Sequence, residues 1–526
     1  MASKSIQVHQ KDMDVTRGCP GYEGALQGNW NGNVSFGDAT VLLPKTMDEL
    51  CRMVRDADQL PVRVVGRGHS FTPLALGGTI LCLQHLNRIL DYRPPSSKTD
   101  GFITCEGGTT YTEVIQFLNQ QAPQERGALP NLPSCPQFTI AGAIATGTHG
   151  SGIHIHNLSA HVSMLEFVQA NGSLVRYDRS DPSTQDILKK CRIHLGCLGV
   201  ISRLTLDIVP YYSVEAVRYD DIPLETVIAN LPEWWTRCDS LSVWTSGFGK
   251  GVGKGTCWAT FRRFVVEEAK KDDDDDAPAV DLPTFLTPQE LGDKGHVCNR
   301  SIPRYCTDPR QPEGFVPTGR GPWYDYLTVT MDGGKETCMT TKDLQAEFFV
   351  PLRYAQAALR AVWDAAREVS FSPPWGYQPT SADKEPPQRG VIDAMEFRQV
   401  KAGDGAWLSP HNDQYPAIIN DKDYDDDGET QPGKSCSALL GIHMSFNGDP
   451  ALRNDILKTY LPRIEQALEP FGGRPHWGKL STNYRYSHVQ TVYPTEALEQ
   501  FQSLCQKHDP TGKFRNEFIQ RALFGE

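Results

Sequence analysis

The sequence lacks the features that would put this protein in a membrane, on a nucleic acid or around a metal. No unbroken apolar run reaches membrane-spanning length. The opening "MASKSIQVHQKDMD" has no apolar signal core, and the ending "ALFGE" is not one of the common address tags. Lys and Arg number 52 against 64 Asp and Glu, a net charge of −12, and no long basic stretch offsets it. Such a balance argues against nucleic-acid binding. The 14 cysteines form no CxxC pair and no zinc-like spacing. In a chain of 526 residues without a signal peptide they read as buried free thiols, and no metal is expected. The expectation is a soluble, cytoplasmic protein of two or three domains.

Two nucleotide signatures are also missing. "GRGHSF" supplies Gly66 and Gly68, but Phe71 stands where a dinucleotide fingerprint needs its third glycine. No G-K-[ST] loop occurs. What is present is a strand, "VRVV", running into a glycine turn that carries His69. Backbone N–H groups in such a turn can hold phosphate oxygens. A second stretch, "ALPNLPSCPQFTIAGAIATGTHGSG", is dense in small residues. Gly142, Ala143, Ala145, Gly147, Gly150 and Gly152 allow close backbone approach to a flat or extended ligand. Thr139, Thr146, Thr148 and His149 offer hydroxyl and imidazole contacts, while Phe138, Ile140 and Ile144 favour a packed loop over a linker.

The elements around these stretches alternate. "TVLLP", "PVRVVG", "TILCL" and "FITCEGG" read as strands. Thr46 and Glu49 read as a capping-box pair, and Thr112 as the cap of "EVIQFLNQQ". "MLEFVQANGSLVRYD" reads as a hairpin turned at Asn171-Gly172, and "VISRLTLDIVPYY" as a strand ending near Pro210. Further on, "PLRYAQAALRAVWDAAREV" reads as a helix with Pro351 near its first turn. "RNDILKTYLPRIEQALEPFGG" reads as a helix stopped by Gly472-Gly473. The acidic stretches 271–288 and 421–434 read as exposed loops. In the second, a calcium-loop register from Asp423 places Gly428 sixth but Lys434 where a bidentate Glu is needed.

Chemistry is suggested by pairs. Glu396 and Arg398 stand two apart on a strand-like segment, as do His443 and Ser445, so each pair projects to one face. Lys479 follows a helix stop in "RPHWGK". Each residue alone also fits an ordinary role: a salt bridge, a core histidine, a solvated lysine.

Taken together, "VVGRGHS", "GAIATGTHGSG" and "RPHWGK" resemble the vanillyl-alcohol-oxidase-type flavoproteins, and among them the alditol and sugar-lactone oxidases. The resemblance runs from "NWNGN" at 29–33 to "DPTGKFRNEFI" at 509–519. It implies an α+β fold of two domains: an FAD-binding domain, residues 1–210, and a substrate domain, 211–484, with a broad antiparallel sheet and helices outside it. Residues 485–526 would return to the FAD domain. It implies FAD contacts at Val64, Val65, Gly66, Arg67, Gly68, His69, Ser70, Thr139, Gly142, Thr146, Gly147, Thr148, His149, Val200 and His476. His69 would carry the flavin covalently through the 8α-methyl. Arg67 stands where relatives often have a small residue, and its side chain is expected to point outward.

By the same resemblance Arg398 and Lys479 face the reacting hydroxyl. Glu396, Ser445 and Ser134 bind the next hydroxyls, with Glu396 sharing in proton handling and His443 supporting the pocket. Relatives commonly have Thr at Ser445. Cys135, before Pro136, matches the position of a second flavin link in doubly linked members, but here it is expected to be a free thiol neighbouring the flavin. The implied activity is oxidation of a terminal hydroxyl of a linear polyol, with dioxygen as acceptor and hydrogen peroxide as product. The alternative is a sugar-1,4-lactone oxidase. A dehydrogenase using a protein or quinone acceptor, or a flavin binder without turnover, belongs to a different class. "NWNGN" and "HWGK" favour the alditol oxidases.

Overall fold

Strand alternation gives this molecule sheets with one face apolar, and those faces decide where the helices go. The computed structural model describes residues 27–96, 99–246, 256–266, 282–301, 316–328, 343–367, 391–415 and 436–525. All of 421–434 and most of 271–288 lie outside them. The fold is α+β, and among the described residues the strands form three sheets. A parallel sheet orders Thr40–Leu42, Thr79–Cys82 and Val62–Val65. An antiparallel sheet runs Ile89–Arg93, Gly101–Glu106, Val200–Pro210, Val162–Val168, Leu174–Asp178, with Gly127–Ala128 also on Val200–Pro210.

The broad sheet is antiparallel throughout. Its order is His296–Val297, Tyr212–Pro223, Thr256–Val266, Ser240–Ser246, Ile392–Lys401, Ala438–Phe446, Leu344–Pro351, Arg474–Pro475, with Gly319–Pro322 on Tyr212–Pro223. Ala346, Phe348, Met395, Phe397, Ile442 and Met444 face one way and join one core with helices Leu224–Trp234, Ala355–Arg367 and Leu461–Leu468. Truncating a fully packed member such as Phe348 to Ala costs about 3–5 kcal/mol. The alternate residues Gln345, Glu347, Glu396, Arg398 and His443 face the other way, onto a cavity.

Buried arginines tie the C-terminal segment to the first sheets. Arg63 donates to Leu74 O at 2.6 Å, Leu195 O at 2.5 Å and Phe514 O at 2.5 Å. Each such charge-assisted bond contributes about 1.5–3 kcal/mol. Asn516 Nδ2 donates to Pro73 O at 2.8 Å and Leu76 O at 2.9 Å. Val489, Phe501, Cys505, Phe518 and Leu523 then join the core that holds Ile103, Leu165 and Leu204.

Two local readings are corrected. The helix Tyr111–Asn119 is capped by Thr110, which completes a capping box with Glu113. Thr112 instead spends its hydroxyl on Pro136 O at 3.0 Å. Thr46 accepts from Glu49 N, but the Glu49 carboxylate accepts from Lys45 N–H at 2.7 Å, so only half the expected box forms. Pro351 ends a strand paired with Leu439 and also caps the 3-10 turn Leu352–Tyr354, which runs into the helix Ala355–Arg367, so it stands just before the first turn. The described cysteines are all free thiols. Among the described residues no helix is long and apolar enough to cross a membrane, and no cluster of three His, Cys, Asp or Glu is placed to hold a metal.

Candidate functional site

A cavity of about 730 Å³ lies between the glycine-rich loops and the polar face of the broad sheet, within the ordinary range for ligand pockets. Its first wall is mostly backbone. Strand Val62–Val65 delivers the turn Gly66–Ser70, where Gly68 takes φ 67°, a region that favours glycine. A Cβ on Gly66 would sit 2.1 Å from Thr139 Oγ1, so the two loops touch there. Gly107 and Gly108 extend the wall, and a Cβ on Gly108 would meet Leu83 O at 1.9 Å.

The "NWNGN" stretch clamps this turn. Trp30 N–H donates to Gly68 O at 2.8 Å, Asn29 Nδ2 to Ser70 O at 2.9 Å and Asn33 Nδ2 to Phe71 O at 2.8 Å. The Trp30 ring stacks on His69 with centroids 5.3 Å apart, and Phe138 lies 4.6 Å from His69 on another side. Burial, with Lys479 and Arg67 nearby, pulls the His69 pKa down to about 3, so the imidazole is neutral. Arg67 belongs to the cavity wall, and its charge bears on His69.

The second wall is charged. Register sets Glu347 opposite His443 and His443 opposite Glu396, and next in the row comes Trp244. Arg398 donates to Ser134 Oγ at 2.8 Å and to Glu347 Oε1 at 3.2 Å, and its Nε pairs with Glu396 Oε2 at 3.2 Å. Burial and the nearby Glu347 charge push the Glu396 carboxyl up to about 7, against the pull of Arg398, Arg262 and Lys479. Glu396 Oε1 has no hydrogen-bond partner among the described residues, although it is buried at the cavity. Burial would raise Glu347 too, yet His149, His443 and Arg398 hold it well below the usual carboxylate range. His443 is drawn down to about 4 and His476 to about 3, chiefly by burial.

The turn His476–Lys479 closes the cavity. Phe71 N–H donates to Gly478 O at 2.8 Å and Thr72 Oγ1 to Trp477 O at 2.9 Å, which fixes this turn against the His69 loop. Lys479 Nζ donates to Gln345 Oε1 and lies 5.0 Å over the Phe71 ring.

Most of the residues expected at the site are thus brought to one cavity. Gly147, Val200 and Ser445 are not on its wall. Gly147 is a turn at φ 78° packed against Pro410. Val200 points into the Leu50–Leu81–Phe514 core, because strand alternation gives the cavity face to Gly199 and Ile201. Ser445 is buried in the ladder opposite Gln345. Glu347, Gln345 and Trp244 line the cavity and were not anticipated. The signal for the first two was present: "LQAEFFVP" carries polar side chains at i and i+2 in an otherwise apolar strand.

Two glycine-rich loops meet a sheet of paired charges at one cavity, and the comparisons make the class of protein a two-domain flavoprotein. Residues 39–178 match the FAD binding domain family, and 337–522 match the D-arabinono-1,4-lactone oxidase family. An L-gulono-1,4-lactone dehydrogenase from Mycobacterium tuberculosis is 35% identical over 513 residues, covering 94% of this chain and 98% of the relative. An alditol oxidase from Streptomyces sp. is 27% identical over 499 residues, covering 94% and 99%. Among solved structures, cholesterol oxidase from B. sterolicum superposes with a TM-score of 0.63 at 16% identity, covering 94% of this chain and 96% of that one. Glucooligosaccharide oxidase from Acremonium strictum, whose FAD is 6-S-cysteinyl and 8α-N1-histidyl, gives 0.59 at 15%, covering 98% and 95%. The chain belongs to the family that holds the L-gulono-1,4-lactone dehydrogenase and the alditol oxidase, and it is an FAD-dependent oxidoreductase.

The first wall fits that cofactor. Its glycines leave little room for side chains, and Gly66–Ser70 with Thr146 and Thr148 line the cavity. His69 and Cys135 both reach it, with Cys135 Sγ 3.9 Å from Gln137 Oε1.

Proposed function

We propose that this protein oxidises a terminal hydroxyl of a polyol, an alditol such as xylitol or sorbitol, with dioxygen as acceptor and hydrogen peroxide as product. The observation that carries this reading is the convergence of Glu396, Arg398 and Lys479 on the cavity that also holds His69. When bound, the flavin supplies the acceptor for the hydride and passes the electron pair to dioxygen. His69 carries it covalently through the 8α-methyl, and a neutral imidazole suits that attachment. Cys135 remains a buried thiol at the wall.

The residues divide the remaining work. Arg398 and Lys479 donate to the reacting oxygen and stabilise the negative charge that develops on it. Glu396, raised to about 7, takes the hydroxyl proton, since a base is most effective near the working pH. Ser134, already held by Arg398, binds a neighbouring hydroxyl. His443 supports Glu396 from the adjacent strand. Trp244 and Phe138 on the cavity wall exclude water from the reacting carbon.

A second reading, sugar-1,4-lactone oxidation, is favoured by the match of 337–522 to the lactone oxidase family and by the 35% identical lactone dehydrogenase. Peroxide release on xylitol, sorbitol, glycerol and sugar lactones separates the two. Highest turnover on a polyol is expected. A lactone as best substrate would transfer the assignment to the second reading, and dye reduction without peroxide would make the protein a dehydrogenase.

A further inference from the structure

Glu347 has no part in the reaction as written, yet both walls of the cavity are tied to it. Its Oε1 accepts from His149 Nε2 at 3.0 Å on the cofactor side and from Arg398 at 3.2 Å on the substrate side. Its Oε2 lies 3.9 Å from His443 Nδ1. Its carbonyl accepts from His476 N–H at 2.9 Å, at the start of the turn that delivers Lys479. The residue is 2% exposed. A buried carboxylate is tolerated only with such compensation. We propose that Glu347 is a positioning residue, fixing the Arg398 guanidinium and governing the protonation of Glu396 through its own charge across the strand row. This rests on the functional reading above.

The geometry supports both halves. Two acceptors, Ser134 Oγ and Glu347 Oε1, hold the planar guanidinium, and the Glu396 carboxylate lies in ion-pair contact with its Nε at 3.2 Å. Without Glu347 the fork loses one side. The electrostatics run the same way. Around Glu347 stand His149, His443 and Arg398, which keep it ionised despite burial. Burial holds His149, His411, His443 and His476 below the ordinary histidine value. Glu396 faces the cations Arg398, Arg262 and Lys479, all of which favour its ionised form, while burial and Glu347 oppose it. Glu347 is thus the like charge that raises Glu396. Removing that charge lowers the Glu396 pKa, and an Arg398 left to Glu396 alone lowers it further.

The test uses the flavin-loaded wild type with Glu347→Gln, Glu347→Asp and Glu396→Gln. Flavin content and thermal midpoint report loading and folding. Anaerobic flavin reduction by polyol or lactone gives the rate from about pH 5 to pH 9. The oxidised flavin spectrum, titrated over the same range without substrate, reports ionisation of Glu396. Glu347→Gln is expected to keep its flavin, to slow reduction on the order of a hundredfold, and to move the spectral titration downward. Glu347→Asp, which keeps the charge but shortens the reach, should leave the titration near wild type while remaining slower. Glu396→Gln should abolish the titration. A Glu347→Gln protein with unchanged titration, or a rate within about twofold of wild type, overturns the proposal. If Glu347→Gln does not fold, Glu347→Asp decides: wild-type speed overturns it. A wild type that neither polyol nor lactone reduces defeats the functional reading, and the substrate-free titration still judges Glu347.

Discussion

The two walls of the cavity meet different physical demands. The loop wall is built on glycine turns and the neutral His69, with Arg67 and Phe138 beside them, and its main constraint is steric: a Cβ at Gly66 or Gly108 has nowhere to go. The sheet wall is made of side chains taken from water in charged form, and its constraint is pairing. Arg398 sits 3.2 Å from each of two carboxylates, and Glu347 meets both an imidazole and a guanidinium. The loop wall gives mainly shape, with Arg67 its charge nearest His69. A charged wall gives chemistry, provided each charge is answered within the sheet.

That contrast is broken most sharply by Lys479→Ala and Arg398→Ala. If the sheet wall acts on charge present mainly in the transition state, each costs on the order of 3 kcal/mol, a hundredfold or more in flavin reduction. Flavin content should stay at the wild-type level, because the loop wall is untouched. Loss of flavin together with activity would show that the walls are not separable in this way.

A somewhat smaller effect is expected from pH. Glu396, raised to about 7, must be ionised to accept a proton. The rate of flavin reduction should therefore fall as pH drops through about 7. Glu396→Gln should lack this limb and be slower by about a hundredfold at its best pH. An unchanged acidic limb in that variant would assign the titration to another group.

The smallest effect concerns Asp343, which neighbours Gln345 at 3.3 Å. Burial pushes its carboxyl up to about 7, against Ser445, Gln345 and Lys479. A carboxyl raised in the folded state contributes stability that is fully present below the ordinary aspartate pKa and is lost as pH rises through about 7. The thermal midpoint of the wild type should decline more than that of Asp343→Asn, which mimics the neutral form, between about pH 4 and pH 7 and no further above it, the difference being about 2 °C. Parallel curves for the two proteins would contradict it.

The walls were also unequally legible in the sequence. The loop wall was readable because close backbone approach demands glycine, and glycines cluster visibly around His69 and Thr146. Half of the sheet wall was readable too, since Glu396 and Arg398 repeat at strand spacing. Glu347 escaped because its partners are supplied by the fold: His149 is 198 positions away and Arg398 is 51. Val200, implied as an FAD contact by the resemblance alone, packs into the Leu50–Leu81–Phe514 core, while Gly199 and Ile201 take the cavity face. Thr112 was preferred over Thr110, although Glu113 three residues after Thr110 marks the cap. Pro351 serves both elements, pairing with Leu439 at the strand end and capping the turn that opens the helix.

The claim on which both walls depend is that the loop cavity holds a flavin joined to His69. Acid-precipitated protein, digested and weighed by mass spectrometry, tests it directly. The account predicts a flavin-bearing peptide containing His69 and an unmodified, fully alkylated peptide containing Cys135, with all covalent flavin lost in His69→Ala. An unmodified His69 peptide, with flavin released freely into acid, would contradict it.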